Sequence, residues 1–184
     1  MVNVFLIHGS YGNPENNWFP WLKEELEKLN HKVLIPIFPT PEHQSLTNWL
    51  NVFKEYEPQI DKNTIFIGHS LGPAFILTLL EKHKIKSAFF VSGFIGLLNN
   101  PTFDEINETF TTKEFNWKKI KENCKEFNCF HSDNDPYVPL EKAKAFADLL
   151  NTKLMIIPQA GHFNKNSGYN TFPELLNEIK KRKK

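Results

Sequence analysis

Residues 63–73 read NTIFIGHSLGP and join a short apolar run to a serine that lies between two glycines. The β-branched and aromatic residues before Gly68 predict a buried strand, and residues 73–83 predict a helix with proline in its first turn. The segment between them has the G-x-S-x-G spacing of a nucleophile elbow, a sharp strand-to-helix turn that exposes a serine hydroxyl. The stretch therefore predicts an α/β fold in which Ser70 is a nucleophile.

Apolar runs of strand length recur outward from this segment and alternate with helical patterns. The predicted strands are 2–7, 33–38, 64–67, 88–91, 128–131 and 154–157. The predicted helices are 17–29, 46–53, 73–83, about 117–124, 140–150 and 172–181. Alternation of this kind predicts about six parallel strands covered by helices on both faces, a three-layer α/β/α sandwich.

The least regular stretch, residues 93–113, follows the fourth predicted strand. It carries Phe94, Leu98 and Phe103 among asparagine, threonine and proline residues. Because it begins at the carboxyl edge of the sheet, it is a candidate wall of a binding cleft. A plain surface connection with a few anchoring aromatic residues is an equally open interpretation.

Length and charge narrow the class of protein. The 184 residues contain no linker or repeat, so a single domain over residues 1–184 is expected. Lys and Arg number 22 against 21 Asp and Glu, and five of the cations stand at 180–184, where they suit a helix end. A nucleic-acid face is therefore not expected. No apolar run reaches membrane-spanning length and no secretory signal opens the chain, so we expect a cytoplasmic protein.

Two cysteines, Cys124 and Cys129, leave the redox state open from sequence. A disulfide is one interpretation, and free buried thiols in a reducing cytoplasm are the favoured one. Neither cysteine belongs to a metal-binding spacing such as C-x-x-C or H-E-x-x-H, and no phosphate-binding glycine loop is present. No metal and no cofactor are therefore expected.

Partners for Ser70 must come from loops at the same edge of the sheet. The fifth predicted strand is followed by Asp133 and Asp135, and the sixth by Gly161-His162. We expect His162 to act as general base and Asp135 to orient it and stabilise its cation. Asp133 is the alternative acid, but the D-P-Y-V-P context favours Asp135 as a carboxylate placed just before a turn into a helix.

The first predicted strand ends in a His8-Gly9 turn that can bring backbone N–H groups towards Ser70. The predicted oxyanion hole consists of the N–H groups of Ser10 and Leu71, with Tyr11 as the alternative to Ser10. Predicted substrate-binding residues are Tyr11, Trp18, His69, Phe94 and Phe163.

H-G-S near the start, then G-H-S-L-G, D-P-Y-V-P and G-H-F in that order, make the chain similar to the small serine hydrolases of the retinoblastoma-binding protein 9 type, in the α/β-hydrolase superfamily. The resemblance covers essentially the whole chain. It implies a minimal α/β-hydrolase fold without a cap domain, and a triad at Ser70, Asp135 and His162. Residues 122–126, ENCKE, depart from the L-x-C-x-E motif, so binding to a retinoblastoma-type pocket is not carried over.

The sequence thus predicts a serine hydrolase that cleaves a small carboxylic ester, or an amide or aminoacyl bond, through an acyl-serine intermediate. The sequence leaves two alternatives open. One is a non-catalytic interaction module on a hydrolase scaffold, and the other is an acyltransferase with the same triad. The expected partner is a small-molecule substrate, with no nucleic acid and no membrane, and the expected state is a monomer.

Overall fold

Six parallel strands form one sheet at the centre of the computed structural model, which describes residues 1–181. In chain order they are β1 (Asn3–Ile7), β2 (Lys32–Leu34), β3 (Ile65–His69), β4 (Ser87–Val91), β5 (Glu126–Ser132) and β6 (Leu154–Ile157). They lie in the order β2-β1-β3-β4-β5-β6. The direction in which strands are added therefore reverses between β1 and β3, and ligands of open parallel sheets bind beside such a reversal, at the carboxyl ends of the strands.

Helices cover both faces of this sheet. Within the described residues they are α1 (Phe19–Lys28), α2 (Leu46–Phe53), α3 (Gly72–Leu80), α4 (Pro101–Thr111), α5 (Trp117–Asn123), α6 (Leu140–Leu149) and α7 (Pro173–Lys181). Side chains of α1 and α7 pack in one apolar cluster, and those of α2 to α6 pack in the other. The predicted three-layer α/β/α sandwich is confirmed.

Strand β1 illustrates why the strands read as continuous apolar runs. Successive side chains of a strand point to opposite faces. Val4 and Leu6 pack in the cluster of α1 and α7, while Phe5 and Ile7 pack in the other cluster, and all four are fully buried. A sheet covered on both faces has no solvent side, so no polar alternation is needed.

The predicted strand 33–38 is too long. Only Lys32–Leu34 pairs with β1, at the edge of the sheet. Pro36 and Pro39 have no N–H for a ladder, and proline is tolerated in sheets mainly where pairing stops. The backbone N–H of Phe38 instead donates to Nε2 of His8 at 3.2 Å.

The prediction that 93–113 is irregular is also wrong over half of its length, because α4 occupies Pro101–Thr111. The helix begins in a regular way: Asn100 caps it by accepting the N–H of Phe103, and Pro101 stands in the first turn. Asn107 and Phe110 follow on the buried face. The polar residues between them mask the helical period, which is why pattern reasoning missed this helix.

Other boundaries shift by a few residues. Helix α1 starts at Phe19 and not at Asn17, whose positive φ of 55° is incompatible with a helix. Helix α3 ends at Leu80, where the amides of Lys82 and His83 turn back onto the carbonyl of Leu79. Lys180 and Lys181 lie in the last turn of α7, as expected for the basic tail, and residues 182–184 lie outside the described residues.

The two cysteines are free and buried. Burial raises the pKa of each thiol to about 12, so both are protonated at neutral pH. Among residues 1–181 no helix combines the length and the apolar character needed to cross a bilayer.

Candidate active site

Ser70 lies at the turn between β3 and α3 with a positive φ of 59°, a conformation that costs energy for any residue with a Cβ. Its N–H donates to the carbonyl of Val91 at 2.9 Å, which ties the turn to the end of β4. Gly72 lets this turn lie close to the end of β1, because a Cβ there would collide with the carbonyl oxygen of Ile7. These features are those of a nucleophile elbow, as predicted.

The loop that follows β1 lies against this serine. A Cβ on Gly9 would stand 2.6 Å from Cβ of Ser70, so only glycine allows the two segments to approach this closely. The N–H of Tyr11 is engaged, since it donates to Oγ1 of Thr40 at 2.7 Å. The N–H groups of Ser10 and Leu71 have no acceptor within residues 1–181, and this favours Ser10 over Tyr11 as an oxyanion donor.

A network of polar side chains holds the loop that follows β1 in place. Oγ of Ser10 donates to Oδ1 of Asn107 at 2.6 Å, and Nε2 of Gln44 donates to the same Oδ1 at 2.9 Å and to Oγ of Ser10 at 3.0 Å. Thr40 donates its hydroxyl to Oε1 of Gln44, which connects the network to the amide of Tyr11. Asn107 is 3% exposed and lies on α4, the helix that sequence reasoning missed.

His162 and Asp135 form a buried pair at the ends of the last two strands. Nδ1 of His162 donates to Oδ2 of Asp135 at 2.8 Å and lies 3.0 Å from Oδ1. A carboxylate accepts the Nδ1 proton, which leaves Nε2 of His162 as the atom that can receive a proton. Oγ of Ser70 makes no hydrogen bond to His162 among the described contacts, although both residues line the same cavity.

Asp135 is the ionised partner of this pair. Burial acts to raise the pKa of its carboxyl, but hydrogen bonds from His162 and from the N–H groups of Tyr137 and Val138 outweigh it and hold the pKa at about 2. Ser92, at the end of β4, adds a fourth donor through its hydroxyl at 2.8 Å. The alternative acid, Asp133, instead accepts the backbone N–H of Gln159.

His69 contacts His162 through a hydrogen bond and through its ring. Its Nε2–H donates to the carbonyl of His162 at 2.8 Å, and the two ring centroids are 4.8 Å apart. Burial, followed by the proximity of His162, lowers the pKa of His69 to about 3, so this ring is neutral at physiological pH. A neutral His69 adds no positive charge beside His162.

A cavity of about 480 Å³ lies over Ser70 and His162. Of the predicted substrate-binding residues, Tyr11, His69 and Phe94 line it. The candidate wall 93–113 contributes Leu98 and Phe103 as well, so that stretch does form part of the cavity wall, and its role in binding stays a prediction. Sequence reasoning missed several other lining residues, including Asn107, Tyr137, Val138 and Lys165.

Trp18 and Phe163 do not line the cavity, which corrects the prediction for both. Each is fully buried in the cluster of α1 and α7, and Nε1 of Trp18 donates to the carbonyl of Phe163 at 3.0 Å. Phe163 stacks on Phe172 of the segment that leads into α7. Phe163 directly follows His162 in the chain, so its buried ring and its hydrogen bond from Trp18 anchor that segment in the core.

The geometry thus brings the predicted serine, histidine and aspartate to one edge of the sheet, beside two backbone N–H groups that have no acceptor in the described part of the chain. Within residues 1–181 no group of three or more His, Cys, Asp or Glu side chains could hold a metal ion. The arrangement is suited to attack by a serine hydroxyl on a carbonyl group with a histidine as the general base.

Comparison with known proteins agrees with this chemistry. The model of the family described as Serine hydrolase matches residues 4–181. The Bacillus subtilis protein YdeN is 32% identical over 174 residues, covering 92% of this chain and 90% of that protein. Serine hydrolase RBBP9 of Rattus norvegicus is 30% identical over 166 residues, covering 90% and 86%.

Solved structures give the same fold. The crystal structure of the ydeN gene product from B. subtilis superposes with a TM-score of 0.91 at 30% identity and covers 99% of this chain and 98% of that one. Est1E from Butyrivibrio proteoclasticus, solved with bound ferulic acid, has a TM-score of 0.70 at 20% identity, covering 97% and 86%. This second likeness shows the fold alone.

Proposed function

This chain belongs to the Serine hydrolase family, and from that premise we propose that it hydrolyses a small carboxylic ester with Ser70 as nucleophile, His162 as general base and Asp135 as the orienting acid. The observation that carries the proposal is the hydrogen bond of 2.8 Å from Nδ1 of His162 to Asp135 beside a serine at φ 59°. Family membership makes the chain an enzyme, so the non-catalytic alternative is set aside.

In the first half of the reaction, Oγ of Ser70 attacks the ester carbonyl while Nε2 of His162 takes its proton. The negative charge that develops on the carbonyl oxygen is received by the N–H groups of Ser10 and Leu71. When the tetrahedral intermediate collapses, the bond to the alcohol oxygen breaks and His162 returns the proton to that oxygen. The alcohol leaves, and the acyl group remains on Ser70.

In the second half, a water molecule replaces the alcohol. His162 removes a proton from the water as its oxygen attacks the acyl carbon, and the same N–H groups stabilise the second oxyanion. Collapse breaks the bond to Oγ of Ser70, which recovers its proton from His162. The products are a carboxylic acid and an alcohol, and the enzyme returns to its starting state.

Two measurements test the assignment of Ser70. The S70A variant should lose hydrolysis of 4-nitrophenyl butyrate while keeping the circular dichroism spectrum of the wild type. A fluorophosphonate probe should label native protein at Ser70 and should not label heat-unfolded protein. Unchanged hydrolysis in S70A, or labelling only elsewhere, would refute the assignment. Product analysis with an added alcohol distinguishes hydrolysis from acyl transfer.

We also propose that residues 1–184 act as one domain and as a monomer in the cytoplasm. Ser70, Asp135 and His162 come from the same chain, which supports a site that needs no second subunit. Free buried Cys124 and Cys129 suit a reducing compartment. Light scattering coupled to size-exclusion chromatography tests the monomeric state, and cell fractionation tests the cytoplasmic location.

A further inference from the structure

Asparagine side chains from two loops form part of the lining of the cavity over Ser70. The first loop, residues 13–17, precedes α1, and the second, residues 164–166, follows His162. The backbone N–H of Lys165 donates to Oδ1 of Asn17 at 2.9 Å, so the two loops are joined into one surface. Hydrogen bonds fix the side-chain orientation of four of these asparagines, which are Asn13, Asn16, Asn17 and Asn164.

Each of the four uses its side-chain carbonyl to hold a loop. A backbone N–H can only donate, so the atom it contacts must be the amide oxygen. Oδ1 of Asn13 accepts the N–H of Glu15, and Oδ1 of Asn16 accepts the N–H of Asn13. Oδ1 of Asn17 accepts the N–H of Lys165, and Oδ1 of Asn164 accepts the N–H of Ser167. The four N···O distances are 2.9 to 3.0 Å.

These contacts fix the carbonyl end of each side chain in its loop, and the NH₂ group is the free end of the amide. Among residues 1–181 none of the four Nδ2 atoms donates to another protein group. Four lining residues thus carry NH₂ donors that are available to a ligand.

The charges of the residues that line the cavity also favour an anionic ligand. Lys165 is the cation of this lining, and no Asp or Glu side chain among the described residues lines the cavity. Burial lowers the pKa of His8 and His69, so neither ring adds charge at neutral pH. A substrate with an ammonium group would find no carboxylate there, whereas an anionic oxygen would find NH₂ donors and an ammonium group.

The place of this surface in the chain indicates which half of the substrate it meets. His162 must reach the oxygen of the leaving alcohol, and Asn164 and Lys165 follow it by two and three residues. The apolar part of the lining comes from other elements, with Phe94 and Leu98 after β4 and Phe103 on α4. We infer that the enzyme prefers esters whose alcohol part carries a carboxylate or a similar acceptor-rich anion, and whose acyl part is apolar. This inference rests on the proposed ester hydrolysis at Ser70.

Three esters with the same acyl group test the preference. They are phenyl butyrate, 3-carboxyphenyl butyrate and 3-(trimethylammonio)phenyl butyrate, and each rate is divided by the rate of hydroxide-catalysed hydrolysis to remove the effect of leaving-group acidity. The anionic ester should exceed the neutral one in kcat/KM by about tenfold, the size of one charge-assisted hydrogen bond. The cationic ester should be the poorest substrate.

Variants then locate the preference. N164D keeps the oxygen that holds Ser167 and replaces the NH₂ donor by a carboxylate oxygen, so the ratio of anionic to neutral rates should fall by about tenfold. K165Q removes the cation and should lower the ratio by about threefold. The matched control is N116D, which makes the same charge change at the cap of α5, where Oδ1 accepts the N–H of Lys119 outside the cavity. Its ratio should equal that of the wild type.

The outcomes separate this inference from the proposed function. Equal rates for the three esters, or the fastest rate for the cationic one, would overturn the inference while Ser70-dependent hydrolysis stands. A ratio that falls as much in N116D as in N164D would also overturn it. If no ester is turned over, protection of Ser70 from a fluorophosphonate decides: 3-hydroxybenzoate should protect more than phenol, and equal protection contradicts the inference.

Discussion

Oγ of Ser92 donates to Oδ2 of Asp135 at 2.8 Å, and this is the same carboxylate oxygen that accepts the Nδ1 proton of His162 at 2.8 Å. Ser92 stands at the end of β4, with a positive φ of 51°. A residue from a fourth strand end therefore hydrogen-bonds to the carboxylate of the histidine–aspartate pair.

Substitution S92A should weaken this pair without removing it. Loss of a hydrogen bond to the carboxylate raises the pKa of Asp135 and loosens its orientation. We expect kcat/KM to fall by about fivefold, which corresponds to about 1 kcal/mol. The measurement is ester hydrolysis between pH 5 and pH 9. S45A removes a hydroxyl at the cap of α2 and serves as control; an S92A profile that coincides with the wild type would show that the contact has no role.

The two aspartates of the loop after β5 should differ sharply. D135N removes the acceptor that fixes the tautomer of His162, and kcat should drop by about ten-thousand-fold, as expected when an orienting carboxylate is lost. D133N keeps an oxygen for the N–H of Gln159 and should change kcat by no more than about twofold. Steady-state kinetics of the two variants decide between them, and a larger loss in D133N would reassign the acid.

Asn107 should act as a positioning residue for the predicted oxyanion loop. N107A removes the oxygen that accepts from Ser10 and Gln44 and leaves buried donors unpaired. We expect kcat to fall by about tenfold with KM nearly unchanged, together with a loss of about 1–3 kcal/mol in the free energy of unfolding. N107D retains an acceptor and should recover most of kcat. If N107D and N107A are equally impaired in kcat, the network does not position the loop.

His69 should make the protein sensitive to mild acid. Its pKa is about 3 in the folded protein and close to 6.5 when exposed. Between these values the unfolded chain binds a proton that the folded chain does not, so the free energy of unfolding falls as pH is lowered from about 6.5. The slope for one group reaches about 1.4 kcal/mol per pH unit.

H69Q keeps a side-chain N–H for the carbonyl of His162 but cannot titrate. Its free energy of unfolding, measured with urea at pH 7, 6, 5 and 4, should therefore decline less steeply than that of the wild type. H43Q, at an exposed position, should follow the wild-type curve. Parallel curves for H69Q and the wild type would show that His69 does not carry the effect.

Most of the architecture could be predicted from local pattern. Apolar runs of strand length located all six strands, and for β6 even the boundaries coincide. Helix α4 was not predicted because polar residues separate its cap from its buried face. The predicted strand 33–38 was too long because β2 ends at Leu34, before the first proline. Prolines end pairing of this kind at the edge of a sheet, and the sequence does not show which strand lies at the edge.

Chain order alone determined which residues could meet at the carboxyl edge of the sheet. Parallel strands place their following loops on the same side, so Ser70, Asp135 and His162 could be grouped from sequence. Their grouping needed only the alternation of strands and helices, since that alternation dictates the topology.

Tertiary structure decided what surrounds them. Trp18 and Phe163 look like pocket aromatics in sequence, but they are buried in the core between the sheet, α1 and α7. Asn107 and Ser92 instead reach the site from elements far away in the chain. Side-chain direction depends on packing between elements, and local pattern carries no information about it. The candidate reacting residues can therefore be identified from the sequence. The groups that position them and select the substrate are decided only by how the helices pack on the sheet.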